Sequence, residues 1–265
     1  MAKLKKQHMT IHWKAIVQDD SSIPATEATL KEKATLVGRI GLMMLSVGTG
    51  AWRVRNSMNK VARCLGITCT ADIGLLAISY TCIEGTDTYT QSISNPTTGV
   101  NTHKLMQLEL FMKEFPDKVS TYSVKHIHEV LDEIQKLPAN YKAWNLGLAS
   151  ALACGAFTFL LGGGPVEMCC AFLGAGVGNF VRKKMLGHSI SLLANVAVSV
   201  AASCLVYVLT ILLAQSLLSV SAVHQAGYIC AMLFVIPGFP LITGGIDLAK
   251  LDLRSGLERV SYALL

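Results

Sequence analysis

The residues of this 265-residue chain best suited to chemistry stand inside an apolar stretch: Pro237, Gly238, Phe239 and Pro240, then Thr243 and Asp247. Proline has no N–H, so Pro237 and Pro240 interrupt the helical ladder and leave carbonyls near Phe234 and Ile236 without partners. Hydrocarbon cannot satisfy such groups, so this kind of break is stable only against protein or a water-filled cavity. Broken helices line substrate sites in many secondary transporters, where freed backbone groups act as ligands. Pro237, Gly238, Pro240, Thr243 and Asp247 therefore form a candidate substrate-binding or translocation set. A plain proline kink at a helix end fits the same residues equally well.

Glu167 is the one carboxylate among the apolar segments and the candidate for proton coupling, although its nearness to a turn also fits an interfacial place. Asn179 and Asn195 either line a translocation path or bond between helices. Elsewhere the chemistry is sparse. The sequence holds no P-loop, no GxSxG, no HExxH and no EF-hand loop, and no nucleophile–base pair can be named. The expectation is a protein that is not an enzyme, with no catalytic residues and no cofactor. His126 and His128 stand two apart on a helix, where side chains diverge, so they read as surface histidines and no metal site is expected. The eight cysteines form no CxxC pair, and five lie in apolar runs as small buried hydrophobes.

The charge distribution defines the elements that must position these residues. Through Lys142 there are 17 Lys+Arg and 13 Asp+Glu, whereas the remaining 123 positions hold 6 and 4. Between Leu186 and Ile246 no Lys, Arg, Asp or Glu occurs. A water-soluble surface cannot be built that way. The chain is expected to divide into a polar tail over 1–30, an α+β domain over 31–141 and a transmembrane helical domain over 142–265.

Four segments, 143–161, 166–181, 189–214 and 227–246, approach the length of about 20 residues that crosses a bilayer. The second is short and rich in small residues, with Gly174-x-x-x-Gly178 spacing suited to close packing in a bundle. Basic residues follow the second and fourth segments (Arg182, Lys183 and Lys184, then Lys250, Arg254 and Arg259), while the intervening linkers carry none. That asymmetry places the N-terminal domain in the cytoplasm and the Gly162-Gly163-Gly164 turn outside. The net charge of +6 is accounted for in part by these membrane-edge clusters, and no nucleic-acid partner is expected.

In the polar half, 32–66 reads as helix with a break near Gly48-Thr49-Gly50. Val54, Met58, Val61 and Leu65 recur at helical spacing and form an apolar stripe. Arg53, Asn56, Lys60 and Arg63 fall on the other face, where a solvated surface near an anionic membrane explains them more simply than a ligand site. Residues 75–83 and 86–93 read as a hairpin across the Glu84-Gly85 turn. Helices over 100–115 and 120–137 follow, separated by Pro116, with Val124, Ile127, Leu131 and Ile134 as the core stripe of the second.

These residues resemble a known family. Pro237-Gly238-Phe239-Pro240-Leu241, then Asp247 and Gly256-Leu257-x-Arg259, is similar to the PGxPL…D…GxxR signature of the bacterial threonine/serine exporter family. Gly41-Leu42-Met43-Met44-Leu45, Gly48, Gly50, Trp52-Arg53-Val54, Ala62, Gly66 and Gly99-Val100-Asn101-Thr102-His103 match at the family's spacing. The resemblance covers most of 35–265 and implies the larger subunit of the family's two-gene form, working with a small membrane subunit in the bacterial inner membrane. It implies proton-coupled export of small hydrophilic metabolites, namely threonine and serine or a dicarboxylate such as succinate. A homo-oligomer is a further arrangement it allows. Arg53 and Arg259 are carried over as structural or cytoplasmic-gate residues.

Two departures stand out. Arg55 occupies a position where family members often carry Glu, and the chain stops at Leu265 where the family has a further span, as though a fifth span were truncated. The expected fold is thus a membrane α-helical bundle of about four spans with an N-terminal cytoplasmic α+β domain. The alternative function is a non-transporting regulatory or scaffold subunit that senses a metabolite through that domain.

Overall fold

The computed structural model describes residues 11, 13, 23–95, 99–138, 141–186, 190–218 and 225–264. The expected polar tail lies largely outside them, as do 219–224 of the linker before the fourth apolar segment and Leu265. The chain forms two compact units. One joins the N-terminal residues through Pro138 with Gly238–Leu265, and the other spans Ala139–Pro237.

In the first unit, helix α1 (Leu30–Ser46) opens with a capping box. The Thr29 hydroxyl accepts the Glu32 N–H at 3.4 Å, and the Glu32 carboxylate accepts the Thr29 N–H at 3.1 Å. The helix is buried on almost every side. Gly48 (φ +94°) takes the left-handed backbone that ends it, and α2 (Ala51–Cys64) begins after Gly50. The apolar stripe falls where its spacing puts it: Val54, Met58, Val61 and Leu65 are all buried. Each such side chain contributes about 1.5–3 kcal/mol by leaving water.

Strands β1 (Thr68–Ile73), β2 (Ala77–Glu84) and β3 (Asp87–Ser94) form an antiparallel meander, with Cys69 opposite Cys82 and Ile78 opposite Ile93. Glu84 pairs with Asp87 across the turn, where Gly85 has φ +59°. One face buries Ile73, Ile78, Tyr80, Cys82 and Ile93. The other is exposed and carries Ser79–Ser92 and Thr81–Thr90 hydroxyl pairs. The sequence reading found the hairpin but not β1, whose Thr-Cys-Thr-Ala-Asp-Ile run has only one strong β-former, Ile73, on its buried side.

Helices α3 (Thr102–Lys118) and α4 (Val124–Lys136) differ from expectation in two ways. Pro116 does not separate them; α3 runs through it. Proline removes the N–H that would reach the carbonyl of residue 112, and Lys60 Nζ donates to that carbonyl instead, at 2.8 Å. His128 is not a surface histidine. It is 1% exposed, because it stands four residues after Val124 and three before Leu131 on the buried face of α4. His126 is exposed, as expected.

The first unit ends with α9 (Gly238–Ala249) and α10 (Leu253–Leu264), a hairpin of an apolar helix and an amphipathic one. Glycines allow its close approach. A Cβ on Gly256 would stand 2.6 Å from Leu248 Cγ, and one on Gly244 would stand 3.0 Å from a Val260 methyl.

The second unit contains α5 (Ala143–Leu160), α6 (Pro165–Met185), α7 (Leu192–Leu218), α8 (Gln225–Ala231) and a 3-10 turn (Leu233–Val235). Gly162 (φ +87°) turns the chain after α5, Gly164 is the N-cap of α6 and Pro165 its first residue. Helix α6 uses its small residues on two sides. Gly176 packs on Ala151 of α5, while Gly174 and Gly178 face α7 and the 3-10 turn. A Cβ on Gly178 would stand 2.7 Å from Phe234 Cζ and 2.8 Å from Ser203 Cβ.

Among the described residues, two helices are long and apolar enough to cross a membrane, Ala143–Leu160 and Leu192–Leu217. The pair Gly227–Val235 and Gly238–Ala249 passes together across its break, so the total is up to three. Helix α6 is long enough at 21 residues, but Glu167 and the basic triplet Arg182, Lys183 and Lys184 dilute it.

Candidate functional site

The first unit gathers both halves of the sequence signature at one point. Helix α2 begins at a glycine N-cap that has no side chain to satisfy its free N–H groups. Asp247, on α9, supplies the missing acceptor: both carboxylate oxygens stand 3.0 Å from the Ala51 N–H. Gly50 is required here, since a Cβ would lie 2.9 Å from Asp247 Oδ1. The carboxylate also accepts the Ser255 hydroxyl at 3.0 Å and faces Arg259 Nε at 3.2 Å. Arg259 in turn donates to the Thr49 carbonyl at 2.7 Å and to Ser255 Oγ at 3.2 Å. Asp247 is 0% exposed and Arg259 3%, so the pair is held out of water. Burial pushes the Arg259 guanidinium below its ordinary range, and the Asp247 carboxylate pulls it back up. The network consists of charge-assisted bonds at a helix N-terminus, where the helix dipole adds to the attraction for a carboxylate.

Three further ties hold the α9–α10 hairpin. Arg55 pairs with Asp252 at 2.7 Å, Glu258 accepts the Leu75 N–H at 2.6 Å, and Arg254 pairs with Asp72. The position where the family often has Glu is therefore used here as a cation with its own acid partner. Beside the network lies a cavity of about 260 Å³ lined by Thr49, Gly50, Trp52, Arg53, Phe239 and Thr243, among others. The Thr49 hydroxyl is buried and has no partner among the described residues. Thr243 donates to the Phe239 carbonyl of its own helix at 2.9 Å. Arg53 is half exposed and pairs with Glu109 at 3.3 Å.

In the second unit the break before Pro237 exposes carbonyls, and side chains meet two of them. Ser203 donates to the Ala231 carbonyl at 2.7 Å, and Arg182 Nη1 to the Phe234 carbonyl at 2.9 Å. Asn179 bridges α6 to α5 through the Leu146 carbonyl at 3.0 Å and Ser150 Oγ at 2.5 Å. Asn195 donates to the Arg182 carbonyl at 3.3 Å, while its own side-chain carbonyl oxygen is buried with no partner among the described residues. Glu167 is 5% exposed in the first turn of α6, and its Cβ and the Tyr207 ring both lie against Gly227. Among the described residues no cluster of His, Cys, Asp or Glu could hold a metal ion.

A family model described as "Putative threonine/serine exporter" (ThrE) matches residues 35–265. The chain belongs to the threonine/serine exporter family. Two relatives support this placement, both named "Probable succinate transporter subunit YjjP". The one from Klebsiella aerogenes is 25% identical over 227 residues, covering 84% of each chain. The one from Escherichia coli K12 is 24% identical over 226 residues, covering 85% of each. No solved structure matches.

Within this exporter family member, the signature residues Gly48, Gly50, Asp247, Gly256 and Arg259 take part in one junction or flank it directly. Pro237 precedes α9, Gly238 is its first residue, and Pro240 sits in its first turn, where an N–H would be unpaired anyway. Sequence reasoning missed Ser255, the Ala51 N–H and the Thr49 carbonyl as partners of the Asp247–Arg259 pair. Two of those three are backbone groups, which residue type does not reveal. It counted Arg182 only as a membrane-edge charge and gave it no partner.

Proposed function

We propose that this chain is the larger subunit of a secondary membrane exporter for small hydrophilic metabolites, either threonine and serine or a dicarboxylate such as succinate. The observation that carries the reading is the break at Pro237–Pro240, followed by the buried Asp247–Arg259 pair, in a chain of an exporter family. In this reading Asp247 and Arg259 hold the α9–α10 hairpin in place, and the break with Gly238, Pro240 and Thr243 forms part of the translocation path. Asp247 suits the first role because the Ala51 N–H, Ser255 and Arg259 already occupy its oxygens.

The chain crosses the inner membrane four times with the N-terminal domain in the cytoplasm, as the basic clusters after 181 and 249 argue. Helix α6 then spans within the bundle, shielded by its neighbours. Glu167 carries the coupled proton, supported by its burial among apolar helices. The relatives are named as subunits, which supports a small membrane partner for this chain as well.

Co-reconstitution of the chain with that partner tests the reading. Labelled succinate, threonine or serine moves across the bilayer in response to a proton gradient, and Pro237→Ala lowers the rate at least tenfold while membrane insertion is retained. A wild-type rate in Pro237→Ala moves the path elsewhere.

A second reading, a regulatory subunit that senses a metabolite, draws on a cavity of about 390 Å³ in the N-terminal unit. Trp13, Arg39, Asn95, Lys104 and Gln135 are among its lining residues. It is favoured if the full-length chain binds a metabolite yet leaves transport by the partner unchanged in rate when it is removed.

A further inference from the structure

In the last turn of helix α6 stands a guanidinium, Arg182, that no acid pairs with among the described residues. Arg182 is half-buried and, among the described residues, makes one hydrogen bond, through Nη1 to the Phe234 carbonyl. A guanidinium carries five N–H donors in a planar fork that fits a carboxylate with two parallel bonds. The only Asp or Glu in 139–237 is Glu167. It stands on the same helix fifteen residues earlier, about 22 Å away at 1.5 Å per residue. A cation held partly out of water without a counter-charge is costly, and it is stabilised by whatever anion reaches it. The charge is also tied in place. Asn195 holds the Arg182 carbonyl, and the Phe234 ring packs over Gly178, one turn before Arg182. The carbonyl that Arg182 grips belongs to the turn just ahead of Pro237, so the charge is fixed to the broken segment itself.

We infer that Arg182 is an anion-binding residue of the exporter, receiving a carboxylate of the transported solute at the end of α6. This rests on the transporter reading above and names the solute chemistry that the break would handle. One guanidinium nitrogen stays on the Phe234 carbonyl while the other edge of the fork takes the carboxylate, so solute binding and the position of the break share one side chain. A phospholipid headgroup offers the same oxyanion chemistry and is the competing source.

The test uses the full-length chain with its small partner, in detergent and in proteoliposomes. Succinate and threonine, titrated separately, raise the thermal unfolding midpoint of the wild type in detergent free of anionic lipid. The shift is lost in Arg182→Gln, partly kept in Arg182→Lys and unchanged in Lys184→Gln. In proteoliposomes Arg182→Gln raises the KM for the transported acid at least tenfold, and Arg182→Lys raises it less. A wild-type KM in Arg182→Gln overturns the proposal. So does a midpoint that responds to phosphatidylglycerol but to neither solute, since the anion would then be a headgroup. If wild-type proteoliposomes move no solute, the transporter reading fails, while the midpoint series still decides whether Arg182 binds a carboxylate.

Discussion

Asp247 caps a helix that begins 196 residues earlier in the chain, with both carboxylate oxygens 3.0 Å from the N–H of Ala51. Helix α2 carries no cap of its own, so its start and the placement of the α9–α10 hairpin depend on one carboxylate. Arg259 neutralises that carboxylate and extends the contact to the Thr49 carbonyl.

Breaking this pair from one side leaves a buried charge alone. Asp247→Asn keeps an acceptor for the Ala51 N–H but strands Arg259, at an expected cost of about 3–5 kcal/mol. Combining Asp247→Asn with Arg259→Met removes the stranded charge, so the double variant is less destabilised than the sum of the singles. Thermal unfolding of the full chain in detergent measures the cycle. Additive losses would show that the two residues do not act on one another.

The glycines predict opposite signs at two positions. Gly178→Leu drives its side chain into Phe234 and Ser203, costing about 1–3 kcal/mol or preventing the helices from packing. Gly245→Ala meets nothing within 4 Å and lies inside α9, so it stabilises by about 0.5–1 kcal/mol. Unfolding midpoints of the two variants check both the signs and the packing.

In the N-terminal unit, Arg39 is 1% exposed and donates to the His128 carbonyl at 2.9 Å and to Asp132. Burial lowers its pKa, and the hydrogen bond to Asp132 raises it again. Arg39→Lys keeps the charge but loses the fork, and an expected loss of about 1.5–3 kcal/mol follows from the hydrogen bonds that a lysine cannot remake. A midpoint shift of less than one degree would argue that the network adds little.

The pattern of success in the sequence follows from what sequence can encode. Gly48 and Gly50 announced the α1–α2 break because backbone conformation and close approach leave a local mark. The stripe of Val54, Met58, Val61 and Leu65 was legible because periodicity is local too. The partners of Asp247 were not, since an N–H 196 residues away has no residue type. His128 was read from its neighbour His126 rather than from Val124 and Leu131, which place it on the buried face of α4. Strand β1 escaped because its small polar residues satisfy the sheet without announcing it. Arg182 was read for its charge alone, and its role at the break emerged only with Phe234 beside it.

We propose that Glu167 carries the coupled proton. With the chain and its partner in proteoliposomes, Glu167→Gln is expected to retain solute counterflow and lose at least tenfold of the acceleration given by a pH gradient. An undiminished response to the gradient would remove Glu167 from that role.

The central claim, that this chain is a working subunit of a metabolite exporter, is tested most directly by labelled-solute movement in proteoliposomes that hold the chain, its small partner, or both. Both together are predicted to move succinate, or threonine and serine, under a proton gradient, with neither alone reaching a tenth of that rate. No movement of any of the three solutes by the complete pair would contradict the account.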